Sequence, residues 1–122
     1  MEKYFSKTVL WIAVLLLSAS FQPAQLRLLP TSLKITVLDE LGNPANGTNV
    51  TLYATKEDYR AEINPVTTTE KTDEKGLVVF KKLDAKAYYV HAINGDKSNI
   101  GAGVLTSPLM EGRTNKVNTI IE

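Results

Sequence analysis

His91 is the only imidazole in this 122-residue chain, and cysteine is absent. A histidine becomes a general base when a carboxylate orients it and a nucleophile lies within reach. On Tyr88–Ile93 it shares period-two parity with Tyr89 and Ile93, which turns it toward solvent on a strand. The sequence places no nucleophile or orienting acid beside it, so no catalytic residue is assigned. One histidine and no cysteine also exclude a multi-histidine centre, a thiolate zinc site and a disulfide.

The carboxylates offer little more. Asp39-Glu40, Glu57-Asp58 and Asp73-Glu74 are adjacent pairs near turns, the pattern of solvated charge. Calcium takes roughly six to eight oxygens, often from alternating positions of one loop. No loop here has that spacing, so no metal or cofactor is expected. Asp39 and Asp73 are the acids best placed to contribute to a metal site if one existed. Fourteen basic residues against thirteen acidic ones leave a net charge of +1, too little field to grip nucleic acid.

Aromatic side chains could bind a ligand by stacking. Tyr53, Tyr59, Tyr88 and Tyr89, with Phe21 and Phe80, are the candidates. Tyrosine suits that work because it has an apolar ring and a polar tip. The plainer reading is that these rings cover sheet faces, and the ligand-binding residues stay unknown at this level. Asn46-Gly47-Thr48 and Asn49-Val50-Thr51 match the glycosylation acceptor pattern, which matters only in a eukaryotic secretory pathway.

The elements that must carry these residues begin with an address. Lys3 and Lys7 precede the apolar run Thr8–Leu17, followed by Ser18, Ala19 and Ser20. That order predicts a signal peptide over residues 1–20, cut after Ser20. Thr8–Phe21 falls short of the roughly 20 apolar residues that a retained anchor needs. Without cysteine there is no site for a conventional lipid anchor. Residues 21–32, with Pro23 and Pro30, read as a linker, and residues 33–122 as the folded domain.

All seven glycines lie beyond residue 41 and punctuate runs rich in Val, Ile, Thr and Tyr. This predicts an all-β, seven-stranded antiparallel β-sandwich following the N-terminal signal helix. Expected strands are Leu33–Asp39, Thr48–Thr55, Val66–Thr72, Leu77–Lys82, Ala87–Asn94, Gly101–Thr106 and Thr114–Ile121. Leu33, Ile35, Val37, Val50, Leu52, Ala54, Val78, Phe80, Tyr88, Val90 and Ala92 point inward by parity, and Asn49, Thr51 and Tyr53 outward. Val66–Thr72 is polar and threonine-rich, as an edge strand would be. Thr55–Ile63 reads as a short helix, with Thr55 as cap and Asp58 completing a weak capping box, or as a surface loop. Asp73-Glu74-Lys75-Gly76 reads as a hairpin turn.

Three segments together carry a resemblance. They are Val37–Pro44 continued by Gly47 and Val50–Tyr53; Thr72–Gly76 followed by Val78, Phe80 and Leu83; and Tyr88–Val90 with Ala92. The chain resembles the carboxypeptidase regulatory-like domain of the prealbumin-like (immunoglobulin-like) group, in its small exported Bacteroidetes-type form. That resemblance implies a non-catalytic sandwich whose glycines and threonine-aspartate turn shape hairpins without touching substrate. Related adhesin and pilin sandwiches join a lysine of one strand to an asparagine of another. Lys34 and Asn118 stand on the first and last strands, but Lys34 faces outward and no acid is placed between them.

The expectation is therefore an exported, non-enzymatic module with a structural or binding role at the cell envelope. It would be periplasmic, cell-surface or secreted. Its partner would be an unknown envelope protein or glycan, with no nucleic acid. It would touch a membrane only through an uncleaved signal segment. One alternative is a small carbohydrate-binding or adhesion domain using Tyr59 and Tyr89. Another is an accessory hydrolase built on His91. Thr55–Pro65 and Gly95–Gly103, the longest irregular stretches, are the expected recognition surfaces.

Overall fold

The structure is a computed structural model that describes residues 29–122. The expected signal peptide, Phe21 and most of the linker lie outside the described residues. Ser32, assigned to the linker, is the first residue of β1 and is buried.

The strands are β1 (Ser32–Leu38), β2 (Asn49–Tyr53), β3 (Glu70–Lys71), β4 (Leu77–Phe80), β5 (Tyr89–Asn94), β6 (Lys97–Ser98) and β7 (Thr114–Ile120). One helix, α1 (Lys56–Ala61), follows β2, and a 3-10 turn occupies Ile100–Ala102. They form a three-stranded sheet, β4-β1-β7, and a four-stranded sheet, β3-β2-β5-β6. Period-two alternation turns Leu33, Ile35, Val37, Val78 and Phe80 of one sheet onto Val50, Leu52, Val90 and Ala92 of the other. Leu33, Ile35, Val37, Val50, Leu52 and Ala92 are fully excluded from solvent. Complete burial of a Leu or Ile side chain stabilises by about 1.5–3 kcal/mol, so this seam is the main source of stability.

The wholly antiparallel expectation fails at one pair. β1 and β7 are parallel, in register from Ser32↔Thr114 to Leu38↔Ile120. Hairpin turns predict antiparallel neighbours, but β7 is reached from β6 in the other sheet across residues 99–113, and that crossing sets its direction. The strand count is seven, although not the expected seven. Gly101–Thr106 is not a strand: the 3-10 turn and Gly103, at φ 88°, bend it. Only residues 104–106 run along β5, through Val104 O to Val90 N at 2.7 Å and Thr106 N to Tyr88 O at 2.9 Å. β6 takes the remaining place on that edge. Val66–Thr72 is an edge segment, paired to β2 only at Glu70–Lys71 and through Val66 N to Leu52 O at 2.8 Å.

Two turns share one device. Asp39 Oδ1 accepts from the N–H groups of Leu41 and Asn43, both at 2.9 Å. Asp73 Oδ1 accepts from Lys75 N–H at 2.8 Å and Leu77 N–H at 3.0 Å. Each loop then turns through a glycine of positive φ, Gly42 at 83° and Gly76 at 73°. Both aspartates are thus turn-forming groups committed to backbone donors. The N–H group of Leu77 and, less strongly, that of Lys75 also hold the Asp73 carboxyl below its ordinary range, outweighing the opposing effect of desolvation. Gly76 is favoured for a second reason: a Cβ there would collide with the Val37 carbonyl oxygen.

Candidate binding groove

The outer face of the four-stranded sheet carries Tyr53 and Thr51 on β2 opposite Tyr89 and His91 on β5. Strand parity points all four away from the core, as the alternation predicts. Yet Tyr53 is only 5% exposed and Thr51 only 7%. α1 covers the first, and the Thr69 hydroxyl, 2.7 Å from Thr51 Oγ1, closes over the second. The outward assignment holds for direction and fails for exposure, because a helix lies where alternation alone expects water.

α1 forms for local reasons. Thr55 is its N-cap in extended conformation, and its hydroxyl accepts from Asp58 N–H at 3.1 Å. Glu57 and Asp58 occupy the first turn and Arg60 the last, which matches the helix dipole. Glu62 ends it in the left-handed region at φ 54°, before the expected stop at Asn64-Pro65. Six residues cannot hold a helix alone, so its aromatic contacts anchor it.

Tyr59 provides that anchor. Its ring stacks on Tyr89 at 5.7 Å with 27° between planes. It meets Tyr53 edge-on at 6.0 Å and His91 edge-on at 5.9 Å. His91 Nδ1 lies 3.6 Å from Glu62 Oε1. Burial, followed by the Glu62 charge, pushes the Tyr53 and Tyr59 hydroxyls above their ordinary range, so both stay neutral.

Beside this cluster is an open groove of about 570 Å³ lined by Lys56, Tyr59, Arg60, Glu62, Tyr89, His91, Ile100 and Val104. Thr55–Pro65 and the end of Gly95–Gly103, chosen as recognition surfaces for irregularity alone, border the same groove. The second segment is firmly tied down. Asn99 is fully buried; its side chain accepts from Ala92 N–H at 3.0 Å and donates to Val90 O at 2.9 Å and Thr119 Oγ1 at 3.2 Å.

Of the candidate aromatic residues, Tyr53, Tyr59 and Tyr89 come together here. Tyr88 and Phe80 are in the core instead. Tyr88 donates its hydroxyl to Asp84 O at 2.9 Å. Lys56, Arg60 and Val104 were not singled out from sequence. The Lys56–Arg60 spacing of four on a short helix was the available signal. His91 faces outward as expected but belongs to the groove wall, touching Glu62 and two tyrosines. Of the Asn46 and Asn49 acceptor patterns, Asn46 is exposed and Asn49 half-buried, while Thr48 and Thr51 are enclosed. Lys34 pairs with Lys116 and Asn118 with Thr36, so the two are not opposite one another on the outer face of their sheet. Among the described residues, no group of three or more carboxylates or imidazoles converges as metal ligands.

The family model of SMCHD1 Ig-like domain 6 matches residues 18–111, a span that ends before β7. The matching family is thus Ig-like, which supports the immunoglobulin-like part of the resemblance and leaves its carboxypeptidase regulatory-like part unmatched. No curated protein matches the chain in sequence. Among solved structures, a streptococcal ancillary pilin is similar over 76% of this chain and 32% of its own, at 16% identity and a TM-score of 0.57. The Bacillus anthracis TIE protein matches over 75% of this chain and 16% of its own, at 16% identity and a TM-score of 0.48. The major pilin subunit of Bacillus cereus, BcpA, matches over 77% and 30%, at 14% identity and a TM-score of 0.46. The pilin likeness shows a shared fold, and the chain spans about a third of that pilin's length.

Proposed function

The chain belongs to the Ig-like family of SMCHD1 Ig-like domain 6, and from that premise we propose that it is a non-catalytic structural module carried outside a bacterial cell. The observation that carries this reading is the parallel β1·β7 pair. The polypeptide enters the sandwich at Ser32, beside Thr114, and leaves it at Ile120, beside Leu38. Entry and exit are at opposite poles, so modules of this kind can be strung in line. Tension between the poles shears the β1·β7 ladder along its length, loading its hydrogen bonds together.

The outside location rests on the signal-peptide pattern of residues 1–20 and on the pilin likeness. The narrower kinship with carboxypeptidase regulatory-like domains is compatible with this role but adds no further chemistry. The absence of cysteine allows site-specific handles for a force experiment. Pulling the Leu29→Cys/Glu122→Cys chain loads β1·β7 in shear. Pulling the Leu29→Cys/Lys81→Cys chain opens β1·β4 from one end. The first is expected to yield at the higher force. Equal or lower resistance would remove the load-bearing reading.

A second reading, adhesion, is favoured by the tyrosine-lined groove. It predicts glycan-array binding by the full chain that disappears in Tyr59→Ala and Tyr89→Ala variants. An array without binding would count decisively against it.

A further inference from the structure

We infer that the groove between α1 and β5 takes an acidic sugar, a pyranose ring bearing a carboxylate. The inference rests on the adhesion reading and specifies its ligand class. Two independent features of the groove meet in it: aromatic rings and an excess of cations over carboxylates in its lining.

The aromatic side is the Tyr59–Tyr89 stack, 5.7 Å between centroids, bordered by Ile100 and Val104. Ile100 is 66% exposed and offers apolar surface at the groove's edge. Tyrosine rings and aliphatic rims suit the C–H faces of a sugar, and an open groove of about 570 Å³ accommodates one or two rings.

The charge comes from Lys56 and Arg60, one helical turn apart and both on the groove wall. The ion pairs among the described residues are His91–Glu62 and Lys97–Glu40, so neither cation is paired among them. The lining's one carboxylate, Glu62, lies 3.6 Å from His91 Nδ1, and Glu57 and Asp58 of α1 do not line the groove. Two cations against one carboxylate leave the lining net positive at the rim of an aromatic surface. A neutral glycan would leave it so, whereas a hexuronate carboxylate would answer it, with the Arg60 guanidinium able to bind in bidentate fashion. Glu62 and His91 then supply acceptor and donor capacity for ring hydroxyls.

The test titrates the full chain with trigalacturonate and a hyaluronan hexasaccharide, each beside its neutral methyl ester. The acid of at least one pair should bind about tenfold more tightly than its ester, the effect of one charge-assisted hydrogen bond. Added salt should narrow that gap. Lys56→Gln and Arg60→Gln, both at exposed positions, should each weaken the acid several-fold and leave the ester unchanged. Tyr89→Ala should weaken acid and ester alike. Equal binding of acid and ester overturns the acidic class while leaving the adhesion reading intact. Array binding to neutral glycans alone does the same. No binding to any saccharide overturns both, and peptide binding in the groove replaces the sugar.

Discussion

Tyr59, from the middle of a six-residue helix, stacks on Tyr89 of β5 with centroids 5.7 Å apart. With the edge-on contacts to Tyr53 and His91, this stack ties a loop excursion to the sheet, and it forms the aromatic wall of the groove. Offset aromatic pairs contribute about 0.5–1.5 kcal/mol beyond area burial. A double-mutant cycle of Tyr59→Ala and Tyr89→Ala, read by urea denaturation, should give a coupling energy in that range. Additive effects would mean that the rings do not stack in solution.

Asn99 should matter far more than its place in a loop suggests. Its side chain satisfies Ala92 N–H and Val90 C=O inside the protein, where no water can substitute. Leaving a buried polar group unpaired costs about 1–3 kcal/mol each. Asn99→Ala should therefore lose about 2–5 kcal/mol in chemical denaturation, with early hydrogen exchange at β6. A loss below half a kcal/mol, on the order of a surface change, would contradict the burial.

Gly42 and Gly76 occupy equivalent positions in the two aspartate turns but have different surroundings. A Cβ at Gly42 meets open space, while one at Gly76 strikes the Val37 carbonyl. Gly42→Ala should cost only the left-handed backbone penalty, about 1–2 kcal/mol. Gly76→Ala should cost at least about 1 kcal/mol more, because overpacking adds to that penalty. Thermal melts of the two variants side by side decide this, and equal losses would refute the clash.

Asp73 predicts a pH dependence. Backbone donors from Leu77 and Lys75 lower its pKa in the folded state. A lowered pKa means that the unfolded chain binds the proton more readily. The stabilisation is thus present above the ordinary carboxylate pKa, about 4, and is lost as pH falls through the lower folded value. Asp73→Asn keeps the turn oxygen but removes the charge. It should flatten the acid limb of stability measured by thermal melts from neutral pH downward. An unchanged acid limb would assign the acid sensitivity elsewhere.

Much of this protein is legible without coordinates. Alternation at Leu33, Ile35 and Val37 and at Tyr88, Val90 and Ala92 identifies buried faces, because strand period two is a local property. The Thr55 cap and the Asp73 and Gly76 turn follow from side-chain chemistry within a few residues. Tyr59 and Tyr89 are recognisable as candidate ligand contacts by type. Thirty residues separate them in the chain, so nothing local indicates that they meet.

What the sequence alone determined was the class of fold, its inward faces, its turns and the two loops worth watching. The tertiary structure decided the parallel β1·β7 pairing, the replacement of the Gly101–Thr106 strand by β6, the burial of Tyr53 and Thr51 beneath their neighbours, and the convergence of Lys56 and Arg60 on the tyrosine groove. The physical reason is range. Periodicity and capping are set by interactions over a few residues. Strand direction after a sheet crossing, and what covers an outward face, depend on packing between segments that local sequence does not couple.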